Sequence, residues 1–172
     1  MPPVSERKLV ALIGNPNTGK TTLFNALTGL AQHIGNYPGV TVERKSGTWA
    51  LPDGQSAELL DLPGTYSLAA RSPDEVIAVD ILLGATDGER EADAAVVIVD
   101  ASNLRRNLYL LSQLLEVELP VVVALNMMDV AESRRIRIDA RKLSHRLGIP
   151  VVPLCASRRQ GLEPLTAAVA EA

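Results

Sequence analysis

Apolar positions along the chain follow two alternating rhythms, unbroken runs and helical repeats. Residues 8–13, 94–99, 120–125 and 150–154 are continuous runs carrying valine, isoleucine or leucine. A run that is apolar at every position fits a strand covered on both faces, the usual state of a parallel sheet. Residues 41–51 and 56–61 flank Leu51-Pro-Asp-Gly54 and read as an antiparallel pair, because an Asp-Gly step favours a tight hairpin. Helical spacing fills the intervals. One helix is expected over 20–30 and a second from Asp74, after Ser72-Pro73. A third covers 103–117, with Leu104, Leu108, Leu111 and Leu115 on one face. A fourth opens at Asp139 and stops at Gly148, a cap and a terminator. The last follows Gly161 and turns Leu162, Leu165 and Val169 inward. This alternation predicts an α/β fold: a mostly parallel sheet of six to seven strands, helices on both faces and one antiparallel strand pair.

Bulk properties narrow the picture. The 172 residues suit one domain with one sizeable core, and 47 % hydrophobic residues argue against disorder. A net charge of −3 with mixed signs argues against a dedicated nucleic-acid binder. Cys155 is the only cysteine, so an internal disulfide is excluded and a reducing cytosol is the expected setting. No stretch approaches the roughly 20 apolar residues of a membrane helix, and the opening residues 1–8 lack the apolar segment of a leader. A soluble piece is expected. His33, His145 and Cys155 are scattered and show no metal-ligand spacing.

The chemistry begins at Gly14-Asn-Pro-Asn-Thr-Gly-Lys-Thr21, which has the spacing G-x-x-x-x-G-K-[ST]. It lies between an apolar run and a helical pattern, the context in which this spacing binds phosphate. Such a loop turns several backbone N–H groups toward one anion at the positive end of a helix. Gly14 and Gly19 let the backbone approach phosphate oxygens without a Cβ in the way. Asn15, Asn17, Thr18, Gly19, Lys20, Thr21 and Thr22 are the candidate contacts, with Lys20 on the outer phosphates and the Thr21 hydroxyl on Mg2+. Asp61-Leu-Pro-Gly64 ends the strand at 56–61; Asp61 suits Mg2+ through water, and Gly64 can offer its N–H to a γ-phosphate. Asn126-Met-Met-Asp129 follows the run at 121–125. A carboxylate there accepts from N1–H and the exocyclic amine of guanine, and adenine offers neither donor; a site of this kind can reject the wrong base by roughly 10⁴-fold. Asn126 would brace neighbouring loops. In Gly35-Asn-Tyr-Pro-Gly-Val-Thr41 the glycines and proline predict a mobile loop. Gly39 and Val40 would approach the nucleotide, and Thr41 is the candidate for a second Mg2+-ligating hydroxyl, ordered only by a γ-phosphate. Cys155, Ala156 and Ser157 follow the last strand, where the Ala156 N–H could meet the guanine O6.

Taken in order, these motifs resemble a GTPase of the Era/TrmE type with a Ras-like P-loop fold. Residues 14–25, 35–45, 61–68, Ser72-Pro-Asp-Glu75 and Asn126-Met-Met-Asp129 sharpen the resemblance to the G domain of ferrous-iron transport protein B, over residues 8–168. Val40-Thr-Val-Glu-Arg-Lys45 and Met127 are its specific marks; most small GTPases carry lysine at Met127. The resemblance implies a GTP-hydrolysing domain on the cytoplasmic side of a bacterial inner membrane, coupling nucleotide state to Fe(II) uptake. Its cofactors would be GTP or GDP, Mg2+ and K+. Its partners would be the helical and transmembrane domains of a parent transporter and, as a further option, a second copy. Residues 1–172 are then a G domain excised from a larger membrane protein, with no helical or transmembrane domain present. Mg2+ falls to Thr21, Thr41 and Asp61, and K+ to Asn17 with the carbonyls of Gly35 and Tyr37. Lys20, Asn17, Thr41 and Gly64 are the expected catalytic groups.

Three departures stand out, the mildest being Thr18, where family members often have serine. The glutamine that many relatives place after D-x-x-G is Thr65 here, so activation falls to K+ or to an arginine supplied in trans. Cys155 stands where many GTPases have serine, and a thiol is a weak hydrogen-bond partner, which predicts a loosely held fifth loop and quick GDP release. Other readings share parts of the pattern. An Era-type ribosome- or RNA-associated GTPase would normally bring a basic RNA-binding domain. A P-loop kinase for a small molecule has no use for a guanine-reading aspartate.

Overall fold

The computed structural model describes residues 7–85 and 90–172. Residues 1–6, on which the expectation about a leader falls, lie outside them. Seven strands form one sheet in the order β2-β3-β4-β1-β5-β6-β7. They are β1 (Lys8–Gly14), β2 (Gln32–Asn36), β3 (Glu43–Ala50), β4 (Ser56–Asp61), β5 (Ala94–Asp100), β6 (Val121–Asn126) and β7 (Val151–Pro153). Strands β4, β1, β5, β6 and β7 run parallel. β3 runs antiparallel to β4, and β2, absent from the sequence reading, adds a second antiparallel pairing on its other side.

Period-two alternation along the central strands divides the core. Leu9, Ala11 and Ile13 face one cluster, with Val97, Val99, Val123 and Leu125. Val10 and Leu12 face the other, with Val96, Ile98, Val122 and Ala124. The first cluster is covered by α2 (Pro73–Leu82), α3 (Leu104–Leu114), α4 (Met128–Ser133) and α5 (Ala140–Leu147). The second is covered by α1 (Lys20–Thr28) and α6 (Leu162–Glu171). Helices on both faces explain why these strands are apolar at every position.

Local chemistry sets the helix ends. Ser72 caps α2 in a capping box, accepting from the Glu75 N–H at 3.2 Å while a Glu75 carboxylate oxygen accepts from the Ser72 N–H at 3.2 Å. Asp139 caps α5 by accepting from the Lys142 N–H, and Gly148 closes it in the left-handed region.

Several expectations shift. α1 stops at Thr28 because Gly29 ends it, and Leu30 is fully exposed. α3 buries Asn107, Leu110, Leu111 and Leu114; Leu104 and Leu108 are only partly covered and Leu115 is exposed. The buried stripe is rotated because Asn107 turns inward to accept from the Asp100 N–H and to donate to the Asn103 carbonyl. The β3–β4 connection is a 3-10 turn over Pro52–Gly54 instead of a two-residue hairpin, closed by Leu51 N–H to Gln55 O at 2.9 Å. Gly35 and Asn36 lie in β2, paired with Arg44 and Glu43, so only part of the expected 35–41 loop is irregular.

Candidate functional site

β1, β4, β5 and β6 all end at one edge of the sheet, and β1 is where the strand order reverses. In open α/β sheets, ligands bind outside the carboxyl ends of strands at such a switch point. All the loops singled out from the sequence leave from this edge, residues 35–41 included, because β2 runs in the same direction as β4.

The loop after β1 is shaped by close packing. A Cβ on Gly14 would collide with the Ile98 side chain of neighbouring β5. Gly19 adopts φ +86°, and a Cβ there would lie 2.5 Å from Nδ2 of Asn126. These glycines are thus required by protein neighbours, where the sequence reading invoked room for phosphate. Asn17 also adopts the left-handed region, at φ 62°. The Thr18 hydroxyl is buried and donates to the Asn15 carbonyl at 2.8 Å. Asn15 is 3 % exposed, and neither polar atom of its carboxamide has a hydrogen-bond partner.

A cleft of about 420 Å³ opens here, walled by Asn15, Pro16, Asn17, Gly19, Lys20, Thr21, Thr22 and Gly64. Lys20 and Asp61, 14 % and 11 % exposed, form an ion pair beside it. The loop after β4 is tied down by Leu62 N–H to Leu12 O at 3.0 Å and Thr65 N–H to Gly14 O at 3.1 Å. Thr65 is 1 % exposed, and its hydroxyl donates to the Ser67 carbonyl at 2.7 Å. The position where relatives place a water-orienting glutamine therefore holds an inward-turned structural threonine. Tyr66 next to it is exposed and stacks with the Arg106 guanidinium, 4.5 Å from the ring centre.

Asn126 joins two loops across the edge. Its Nδ2 donates to the Thr18 carbonyl at 3.0 Å, and its Oδ1 accepts from the Ala156 N–H at 2.9 Å. Met127 turns the chain through φ 60°, and α4 begins with Met128 and the half-buried Asp129. Asp129 lies 3.8 Å from the Arg158 guanidinium. The Ala156 N–H, expected to meet a base, is thus already engaged by Asn126.

The fifth loop is held more firmly than its thiol suggested. Cys155 and Gln160 exchange both backbone hydrogen bonds, at 3.0 and 3.1 Å. The Arg159 guanidinium donates to the Ala26 carbonyl at 3.1 Å. Main-chain bonds replace whatever the weak Cys155–Ser157 contact of 3.4 Å fails to supply.

The remaining candidates share this edge of the sheet but do not wall the cleft. Gly39, Val40 and Thr41 are exposed and are not walls of the cleft. Tyr37 is buried, with its N–H on the Val42 carbonyl at 3.0 Å and its carbonyl accepting from Val40 at 3.3 Å. Gly35 is paired with β3. Sequence reasoning missed Arg158, whose place beside Asp129 follows from β6 and β7 being neighbours. It also missed the structural duty of Thr65. Among the described residues, no group of three or more His, Cys, Asp or Glu could hold a metal, and no helix is long and apolar enough to cross a membrane.

Comparison with known proteins bears on this arrangement. The family model described as ferrous iron transport protein B matches residues 8–169. The Fe(2+) transporter FeoB of Salmonella typhimurium is 54 % identical over 164 residues, which cover 93 % of this chain and 20 % of that protein. The chain therefore spans about a fifth of the length of the curated relatives it matches. The cytosolic domain of L. pneumophila FeoB superposes with a TM-score of 0.88 at 48 % identity, covering 95 % of this chain and 68 % of that one. The cytosolic domain of the T. maritima FeoB iron transporter in its GDP form superposes with a TM-score of 0.89 at 44 % identity, covering 96 % and 63 %. With its strand order, its phosphate-loop cleft and these matches along nearly its whole length, the chain belongs to the ferrous iron transport protein B family.

Proposed function

We propose that this domain binds GTP, hydrolyses it to GDP and phosphate, and, within its parent transporter, couples nucleotide state to Fe(II) uptake. The observation that carries the reading is the Asn126 carboxamide. It ties the phosphate loop at Thr18 to the fifth loop at Ala156, three residues before the half-buried Asp129. That brace makes one continuous site from a phosphate-gripping half and a base-reading half. The GDP form of the T. maritima relative supports the same ligand. Family membership sets aside the RNA-associated and kinase readings.

Each residue has a task. The N–H groups around Asn17, Gly19 and Lys20 receive phosphate oxygens at the start of α1. Lys20 exchanges the Asp61 carboxylate for the outer phosphates. Gly64, where an added Cβ would press on Pro16, donates its N–H to the γ-phosphate on this reading. Asp129 accepts from guanine. For Ala156 to reach O6, its bond to Asn126 must be shared or exchanged.

Thr21 and Asp61 supply the hard oxygen donors that Mg2+ prefers, and Thr41 would complete them if residues 35–41 close on the cleft. Asn17 is exposed in the cleft wall with an oxygen to offer K+. The Tyr37 carbonyl keeps a second lone pair beyond its Val40 bond, and with Gly35 it needs the same closure. When bound, these cations neutralise charge on the transferring phosphoryl group.

Calorimetry with GTP and ATP tests the reading: the 172-residue chain should bind GTP and show no comparable affinity for ATP, and D129N should prefer xanthosine triphosphate. Unchanged GTP preference in D129N would refute the base assignment.

A further inference from the structure

The guanidinium of Arg158 lies 3.8 Å from the carboxylate that, on the reading above, receives guanine. Its chemistry matches the ligand it displaces. The N1–H and exocyclic amine of guanine form part of a cyclic guanidine and present two parallel N–H donors to a carboxylate. An arginine presents the same planar fork. We propose that Arg158 is a built-in guanine mimic, competing with the base for Asp129 and lowering the apparent affinity for guanine nucleotides.

The backbone around Arg158 favours such a role. The 3-10 turn Ala156–Arg158 ends on Arg159 in the left-handed region, φ 54°. It is closed by Arg158 N–H to Cys155 O and Arg159 N–H to Ala156 O, both 3.1 Å, and by the two-way bridge between Cys155 and Gln160. The main chain of the turn is thus fixed beside Asp129. The Arg158 side chain itself is 63 % exposed, so it can leave without opening the core. At 3.8 Å the pair is looser than a charge-assisted hydrogen bond, and closing it fully takes a movement of about 1 Å. A nucleotide anchored by its phosphates displaces such a partner readily. While the pair lasts, the fraction of molecules able to accept the base is reduced, and the apparent affinity falls with it.

The inference rests on Asp129 reading guanine, and the test separates the two. Binding and association of fluorescently labelled GDP are measured for the 172-residue chain and R158A, in low salt and in about 0.5 M salt, where exposed charges are screened. Arg158→Ala should bind GDP about 1.5- to 5-fold tighter in low salt, the range of an exposed ion pair, chiefly through faster association. The gain should shrink in high salt. In a D129N background with xanthosine diphosphate the same substitution should change nothing, because the neutral amide no longer attracts the guanidinium. Unchanged or weaker GDP binding by R158A would overturn the proposal, as would an equal gain in the D129N background. A parent chain that does not distinguish GDP from ADP would instead bring down the guanine reading itself.

Discussion

Asn126 shows how much one buried side chain can carry. Only 4 % exposed, it satisfies a carbonyl of the phosphate loop and an N–H of the fifth loop at once. Asn126→Ala strands both partners in the interior, where an unpaired polar group costs about 1–3 kcal/mol. The nucleotide-free protein should melt at a lower temperature, and GDP affinity should fall with it; an unchanged melting curve would show that the bridge is not needed. The sequence placed an asparagine at this point as a brace, from its motif. It could not show which atoms it joins, because Thr18 and Ala156 are brought together only by the order of β1, β5, β6 and β7. Gly19 teaches the same lesson. Its positive φ and its approach to Asn126 both demand glycine, and a sequence reports only the glycine.

At the scale of the element, α2 was the most legible piece. Ser72-Pro-Asp-Glu75 spells a capping box, and Glu75 does more than close it. One of its carboxylate oxygens also accepts from the Arg71 N–H at 2.7 Å, and the other meets the Thr65 hydroxyl at 3.4 Å. The helix start is thereby fastened to the loop that follows Asp61. Ser72→Ala should cost about 1 kcal/mol, as a lost N-cap does, and lower Tm by roughly 2–4 °C in a domain of this size. A calorimetric scan reads this directly. α3 was less legible. Its leucine spacing pointed to one face, while the inward turn of polar Asn107 fixed another. β2 was not legible at all: Gln32-His-Ile-Gly-Asn36 has neither an apolar run nor alternation, and it is a strand because β3 offers it an open edge.

At the scale of the molecule, the question is how residues 35–41 meet the phosphate loop. In the present fold Gly35 and Tyr37 are held by β3 and Val42, while Asn17 and Thr21 face the cleft. If K+ is the activating element, turnover should be faster in K+ than in Na+, and Asn17→Ala should abolish the difference; equal rates in phosphate-release assays would remove K+ from the mechanism. Thr65 is buried with its hydroxyl on the Ser67 carbonyl, so it cannot take the place of the missing glutamine. The amino-acid order alone determined the alternation of buried strands and helices, the phosphate-loop spacing and Asp129 as the candidate for reading the base. These follow from local rules: hydrophobic period, turn chemistry and the donors a ligand presents. Only the tertiary structure decided that Asn126 bridges two loops, that Lys20 rests on Asp61 and that Arg158 stands over Asp129. Those contacts join residues far apart in the chain, and nothing short of strand order and register brings them within reach.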